Sequence, residues 1–311
     1  MTIGSLFSGI GGLELGLERA GIGPVRWQAE VDPFARSILR KHWPGVTLYR
    51  DVREVRHGAT EPVRVICGGF PCQPVSYAGL RRGADDERWL WPECRRILNE
   101  LRPEWGVFEN VPGLRTRGLN DVLEDLAALG LAAEWVDLRA SDVGAPHRRE
   151  RIFIVTHRDG AALDQWRVAI KRAMAERGIG TRAADARGAS MANGDGHGRV
   201  ELGAARIHDH RPLRNHAPRR GEGARANEWP PRHGDIDGWR RWVERGGPQP
   251  LICRGVDGVP NRLDRLSALG NAVVPMVSEL VGRAIVEAEA AASSWRHGKA
   301  GVPPRGHQGG V

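Results

Sequence analysis

The chain has 311 residues, 41% hydrophobic and 27% charged, with a formal net charge of +8. That length allows one large domain plus a smaller one with a substantial core, and the four cysteines, Cys67, Cys72, Cys94 and Cys253, form no C-x-x-C pair, which argues against a disulfide framework and a structural zinc site. No apolar run approaches the ~20 residues of a membrane span and no basic region followed by an apolar stretch opens the chain, so a soluble cytoplasmic protein without metal is expected.

Residues 2–7 read as a strand that runs into Ser8-Gly9-Ile10-Gly11-Gly12. Leu13, Leu15, Leu17 and Ala20 then recur at mainly helical spacing up to a Gly21 stop. In this strand, glycine turn and helix, the glycines let backbone N–H groups approach a ligand and the helix N-terminus favours a carboxylate or phosphate; a simple tight turn is the alternative. A second strand, 26–31, carries Glu30 near its end, where a carboxylate can accept hydrogen bonds from the two hydroxyls of a ribose or simply face solvent. Pro33–His42 reads as a helix, 46–48 as a short strand and 63–67 as a fourth strand. That strand leads into CGGFPCQPVS, residues 67–76, where Gly68, Gly69, Pro71 and Pro74 prevent regular continuation. Cys72 is therefore expected on a stiff loop at a strand's carboxyl end, where open α/β sheets bind ligands; the alternative is a core cysteine acting as a small hydrophobe.

A helix over 90–101 and a strand over 105–108 follow. Glu109-Asn110-Val111-Pro112 then puts a carboxylate on the same sheet edge as Cys72, the pairing that covalent catalysis on a polar heterocycle requires. A helix over 119–129 and strands over 133–138 and 151–156 complete the pattern. Arg148, Arg149 and Arg151 flank the start of the last strand and either favour a thiolate or hold a phosphate. The alternation predicts an α/β fold with a doubly wound, mostly parallel sheet.

From residue 158 the pattern weakens. Residues 1–157 carry 21 Lys+Arg against 21 Asp+Glu, residues 158–250 carry 18 against 12, and residues 251–311 carry 7 against 5. The positive excess thus lies in the middle, as expected of a nucleic-acid-facing insert, although a GC-rich genome would also enrich arginine. Residues 166–177 look helical, 180–227 irregular, 273–292 helical, and the tail disordered. Trp166, Trp229, Trp239 and Trp242 form a small core in the middle segment or stack on nucleotide.

The ordered blocks SLFSGIGGLELGLERAG (5–21), AEVDP (29–33), RDV (50–52), GGFPCQPVS (68–76), DERWLWPE (86–93), VFENVPGL (107–114), SDVGAPHRRERIFIV (141–155) and ALGNAVVP (268–275) resemble those of the DNA cytosine-5 methyltransferases. The stretch GVPNRLDRLSALGNAVVP, 258–275, looks most like the compact phage or prophage type. The resemblance implies a Rossmann-like, S-adenosylmethionine-dependent methyltransferase fold. Its catalytic domain would span 1–157 and be completed by 258–292, with a target recognition domain at 158–257 and a disordered tail at 293–311.

The resemblance also implies residue roles. Phe7, Gly9, Ile10, Gly11 and Gly12 would line the S-adenosylmethionine pocket, Glu30 would bind the ribose and Val31 the adenine. Asp51 and Val52 would contact the adenine edge, Leu90 would flank the cofactor, and Asn271 and Ala272 would return to it. Cys72, preceded by Pro71, would add covalently to carbon 6 of a flipped-out cytosine. Glu109 would hydrogen bond the base, Arg151 would sit near its carbonyl, and Arg149 near a phosphate or the cysteine. The partner would be double-stranded DNA, read by a monomer of bacterial or phage origin, of a kind that can accompany a restriction endonuclease. Two departures stand out: His147 replaces the family's usual glutamine, and the ninth block is shortened to GVPNRLDR. A tRNA-methylating relative, a non-catalytic fold relative and a thymidylate synthase-like enzyme are the competing readings.

Overall fold

The computed structural model describes residues 1–71, 89–179, 241 and 262–299. Its strands are β1 (Ile3–Leu6), β2 (Val25–Ala29), β3 (Thr47–Tyr49), β4 (Val65–Gly68), β5 (Trp105–Asn110), β6 (Ala132–Arg139) and β7 (Glu150–His157). The helices are α1 (Gly12–Arg19), α2 (Pro33–His42), α3 (Trp91–Leu101), α4 (Leu114–Arg117), α5 (Leu119–Ala128), α6 (Gly160–Glu176), α7 (Arg262–Asn271) and α8 (Pro275–Lys299). The strands make one seven-stranded sheet in the order β3-β2-β1-β4-β5-β7-β6. β1 to β5 pair in parallel, whereas β7 runs antiparallel to both β5 and β6. This is a Rossmann-like α/β sheet, mostly parallel as the sequence pattern predicts, with one reversed strand.

Strand periodicity explains the two cores. On β4, Val65 and Cys67 face one side and Ile66 the other; on β7, Phe153 and Val155 oppose Ile152 and Ile154. The first side is covered by Leu13 and Leu17 of α1, Trp166 and Ile170 of α6, and Val281 and Ile285 of α8. The second is covered by Trp91, Ile97 and Leu98 of α3 and Val122 and Leu126 of α5. Each such side chain, fully buried, contributes about 1.5–3 kcal/mol. By length and composition the stretch Ser267–Ala292, which takes in most of α8, is apolar enough to cross a membrane, but the apolar residues of α8 pack on α1 and α6.

Several element limits differ from those expected. α6 starts at Gly160, earlier than the helix expected from residue 166, and carries Trp166, Ile170 and Met174 into the same core as the strands. Its start was hidden by the polar turn Asp159-Gly160, where the Asp159 side chain accepts a hydrogen bond from the Ala161 N–H at 2.9 Å. β5 extends to Asn110, since Glu109 and Asn110 pair with Phe153 and Ile152, so both lie within the strand rather than beyond it. Residues 262–271 form a helix of their own before α8, and α8 continues to Lys299, past the expected start of a disordered tail. The chain divides into two compact units, Met1–Arg182 with Trp229–Val311, and Ala183–Glu228; the second lies outside the described residues.

Candidate active site

The carboxyl ends of β1, β2, β4 and β5 lie on one edge of the sheet, and the reversed β7 brings its first residues there too. After β1, Phe7 (φ 52), Gly9 (φ 55) and Gly11 (φ 85) adopt left-handed backbone. For Phe7 that conformation costs about 1–3 kcal/mol and marks a constrained turn. The Glu30 carboxylate, buried at the end of β2, holds this turn: its Oε2 accepts from the Gly9 N–H at 2.7 Å and its Oε1 from the Asp32 N–H at 2.8 Å. Each oxygen keeps acceptor capacity for a ligand hydroxyl.

The surroundings fit a nucleoside ligand bearing a carboxylate. A Cβ placed on Gly9 would meet nothing within 4 Å, so the turn has open space before it. Val31, next to Glu30, is an apolar side chain left 74% exposed. The N-terminus of α1 has no side-chain cap, leaving its first N–H groups available for an anion. Ile10 is half-buried in the same turn, and Gly12 is buried at the first position of α1.

Other expected ligand contacts sit around this edge. Asp51 caps a 3-10 turn after β3, accepting from the Arg53 N–H at 2.9 Å and pairing with the Arg53 guanidinium at 3.1 Å. Val52 beside it is buried, and its carbonyl accepts from Arg96 at 3.3 Å. Leu90, half-buried, precedes α3. Asn271 is exposed at the end of α7, and Ala272 follows it. The segment from Ala272 comes directly against α1: a Cβ on Gly12 would lie 2.2 Å from the Val273 carbonyl oxygen. Residues from early and late in the sequence therefore meet at this edge of the sheet.

Glu109 lies on the face of β5 shared by Trp105 and Val107 and is only 7% exposed. The Arg151 Nε lies 2.8 Å from Glu109 Oε1. A Cβ on Gly69 would lie 3.2 Å from Oε2, so this oxygen faces the loop leaving β4. Burial pushes the Glu109 carboxyl above the usual range, against the pull of Arg151 and Arg149. Burial thus favours the protonated form of this carboxyl, and the adjacent guanidinium of Arg151 favours the ionised one.

The loop after β4 is anchored twice. Phe70 packs its ring against Trp89, Trp91 and Phe108, and its carbonyl accepts from Asn110 Nδ2 at 3.0 Å. Asn110, 4% exposed, thus ties the loop to β5, a role that no motif in the sequence signals. Pro71 is half-buried at the end of this described stretch, and Cys72 lies outside the described residues. The two buried thiols among the described residues, Cys67 and Cys94, are both pushed far above the usual range by burial and are inert by that criterion.

Arg149 donates from Nη1 to the Gly270 carbonyl at 2.8 Å and from Nη2 to the Ala272 carbonyl at 2.6 Å; Cys72, one of its expected neighbours, lies outside the described residues. Its backbone is also left-handed, with φ 29. Glu14 is a second unexpected feature. This α1 carboxyl is wholly buried beneath the glycine turn; Oε1 accepts from Gln28 at 3.3 Å and Oε2 has no hydrogen-bond partner. Burial raises its pKa despite neighbouring Ser5, Ser8 and Gln28.

Against known proteins, the sequence profile described as C-5 cytosine-specific DNA methylase matches residues 1–215. A Type II methyltransferase, M.NlaIV, of Neisseria lactamica is 34% identical over 170 residues, covering 48% of this chain and 39% of its own. Type II methyltransferase M2.BsuMI of Bacillus subtilis is 34% identical over 164 residues, covering 50% and 41%. The chain thus spans about two-fifths of the length of these curated relatives. Among solved structures, the Entamoeba histolytica methyltransferase EhMeth aligns with a TM-score of 0.45 at 20% identity, covering 51% of this chain and 53% of its own.

Proposed function

Because the chain belongs to the C-5 cytosine-specific DNA methylase family, we propose that it transfers a methyl group from S-adenosylmethionine to carbon 5 of cytosine in double-stranded DNA, at one short sequence. The observation that carries this reading is Glu109: a buried carboxyl of raised pKa, paired with Arg151 and facing Gly69 on the loop that leads to Pro71 and Cys72. The names of the Type II relatives support a modification enzyme of a restriction system.

Carbon 5 of cytosine is a poor nucleophile, so the base is first activated. The Cys72 thiolate adds to carbon 6 as Glu109 gives its proton to ring nitrogen 3 and accepts a hydrogen bond from the exocyclic amine. Electron density then accumulates at carbon 5, with Arg151 near the base carbonyl and holding Glu109 in place. Bound S-adenosylmethionine supplies the electrophilic methyl on its sulfonium. After methylation carbon 5 loses its proton to a base, the carbon 6–sulfur bond breaks to release the Cys72 thiolate, and the proton on nitrogen 3 returns to Glu109. Reaching these atoms requires flipping the base out of the duplex, at a cost of a few kcal/mol.

Phe7, Gly9 and Gly11 would shape the cofactor pocket, Glu30 would take the ribose hydroxyls, Val31 the adenine face, and the N-terminus of α1 the methionine carboxylate. Asp51, Val52, Leu90, Asn271 and Ala272 would complete its rim. Reading of the DNA sequence is assigned to the arginine-rich middle segment, most of which, residues 180–240 and 242–261, lies outside the described residues.

Bisulfite sequencing of plasmid DNA from cells expressing the protein tests this reading. The expected result is complete 5-methylcytosine at one short sequence, lost in Cys72→Ser. Full methylation by Cys72→Ser would remove the covalent step, and methyl transfer to tRNA with none to DNA would move the activity to the tRNA branch.

A further inference from the structure

Arg149 occupies a conformation that an ordinary surface arginine would avoid. Its φ of 29 lies in the left-handed region, a state that persists only where the surroundings hold it. What holds it is a fork: the two terminal nitrogens each donate to one carbonyl, Gly270 and Ala272, at 2.8 and 2.6 Å. Those carbonyls belong to the last turn of α7 and the residue after it, where helical C=O groups lack intrahelical partners and the helix dipole is negative. A planar guanidinium suits two such acceptors, and a lysine ammonium does not reproduce the fork. The Nε of Arg149 is buried without a hydrogen-bond partner, so the side chain faces these carbonyls at some polar cost.

The two ends of this contact serve different parts of the site. Arg149 is two residues from Arg151, whose guanidinium pairs with Glu109, and the charge of Arg149 also acts on Glu109. On the other side, Ala272 leads into Val273, whose carbonyl abuts the start of α1 at Gly12, directly after the glycine turn. A narrow cleft between these parts is lined by Leu138, Arg149, Arg151, Phe153, Val273 and Val277.

We propose that Arg149 is a positioning residue that latches the 270–274 segment to the start of β7, so that the cofactor side and the base side of the site are set as one unit. The proposal rests on the methyltransferase reading for the identity of those two sides. The latch itself rests only on the two carbonyl contacts and the strained backbone. Its consequence is that ligand affinity at the glycine turn depends on a residue that does not line that turn.

The test uses the full chain and two variants, Arg149→Gly and Arg149→Lys. Glycine removes the fork and relieves the left-handed strain; a residue with a purely structural role would then show a changed melting temperature with unchanged ligand binding. The latch instead predicts faster hydrogen exchange at the 270–274 amides in both variants. It also predicts about tenfold weaker binding of S-adenosylhomocysteine, or 1.4 kcal/mol by calorimetry, with the melting temperature of Arg149→Gly held or raised. Exchange and affinity equal to wild type would overturn the latch. If wild type itself bound no S-adenosylhomocysteine, the functional reading would fail, while the exchange measurement, which needs no ligand, would still decide the latch. Arg149→Lys keeps the wild-type class of backbone strain, so it decides the matter if the glycine variant does not fold.

Discussion

Gly16→Ala is the sharpest test of how α1 and α8 are joined. Gly16 is buried at the middle of α1, and an added Cβ would lie 2.0 Å from Ser278 Oγ, 2.2 Å from the Pro275 carbonyl oxygen and 2.8 Å from the Glu279 nitrogen. Alanine would gain about 1 kcal/mol over glycine from helix propensity alone. Two of the three neighbours are backbone atoms of α8, however, and cannot swing aside. To restore contacts near ~3.5 Å the helices would have to move apart by about an ångström, loosening Leu17, Val281 and Ile285 together. The Ser278 Oγ bond to the Gly12 carbonyl, 3.3 Å, would go with them. Overpacking costs about 1–3 kcal/mol and more where backbone is struck, so the clash wins by about 2 kcal/mol after the propensity gain is subtracted. At about 2–4 °C per kcal/mol the melting temperature should fall by roughly 4–8 °C, measured by circular dichroism. Gly160→Ala is the control, because its Cβ would come no closer than 4.0 Å to Ala132. A Gly16→Ala protein melting at the wild-type temperature would refute the close approach of α1 and α8.

Glu14→Gln should stabilise the protein above neutral pH. The folded pKa of Glu14 is raised from 4.5 by burial, so the unfolded chain ionises first, and wild-type stability falls as pH rises from about 4.5 towards the folded value. Glutamine removes that loss, and urea titrations should show an advantage growing by up to about 1.4 kcal/mol per pH unit across this window and vanishing at pH 4; a constant difference would contradict a buried titrating carboxyl. Asn110→Ala leaves the buried Phe70 carbonyl without its donor and should cost about 1–3 kcal/mol, with methyl transfer falling further than stability if Pro71 is misplaced. Gly69→Ala brings a methyl to 3.2 Å from Glu109 Oε2 and should lower kcat while leaving cofactor affinity unchanged, by isothermal calorimetry. In native alkylation followed by mass spectrometry, Cys67 and Cys94 should stay unmodified until urea exposes them.

Much of this was legible because local signals agreed with the tertiary outcome. The α2 limits follow from Asp32, whose side chain accepts from the Ala35 N–H, and from Pro33 at the first helical position. Glu30 and Glu109 could be placed at strand ends because the apolar runs before them are short and clear. What could not be read was the partner of each side chain. Arg149 lies in a run of arginines, and nothing in that run says that its guanidinium reaches two carbonyls more than a hundred residues away. Glu14 looks like a solvated position on an amphipathic helix, and only the covering by β1, β2 and the glycine turn makes it buried. The start of α6 is not legible because the polar turn Asp159-Gly160, with Asp164 after it, dilutes the apolar period.

The contact between Gly12 and Ser278 spans 266 residues of sequence. On a ribosome adding about 5–20 residues per second, roughly 13–50 s separate the synthesis of its two halves. During that interval the first helix waits with Leu13 and Leu17 unprotected by α8, exposed to chaperones and to neighbouring nascent chains. The contact of α1 with α8 forms only when α8 has left the exit tunnel. Order of synthesis therefore acts as a timer: premature termination anywhere before α8 leaves Leu13 and Leu17 of α1 without the cover that Val281 and Ile285 supply.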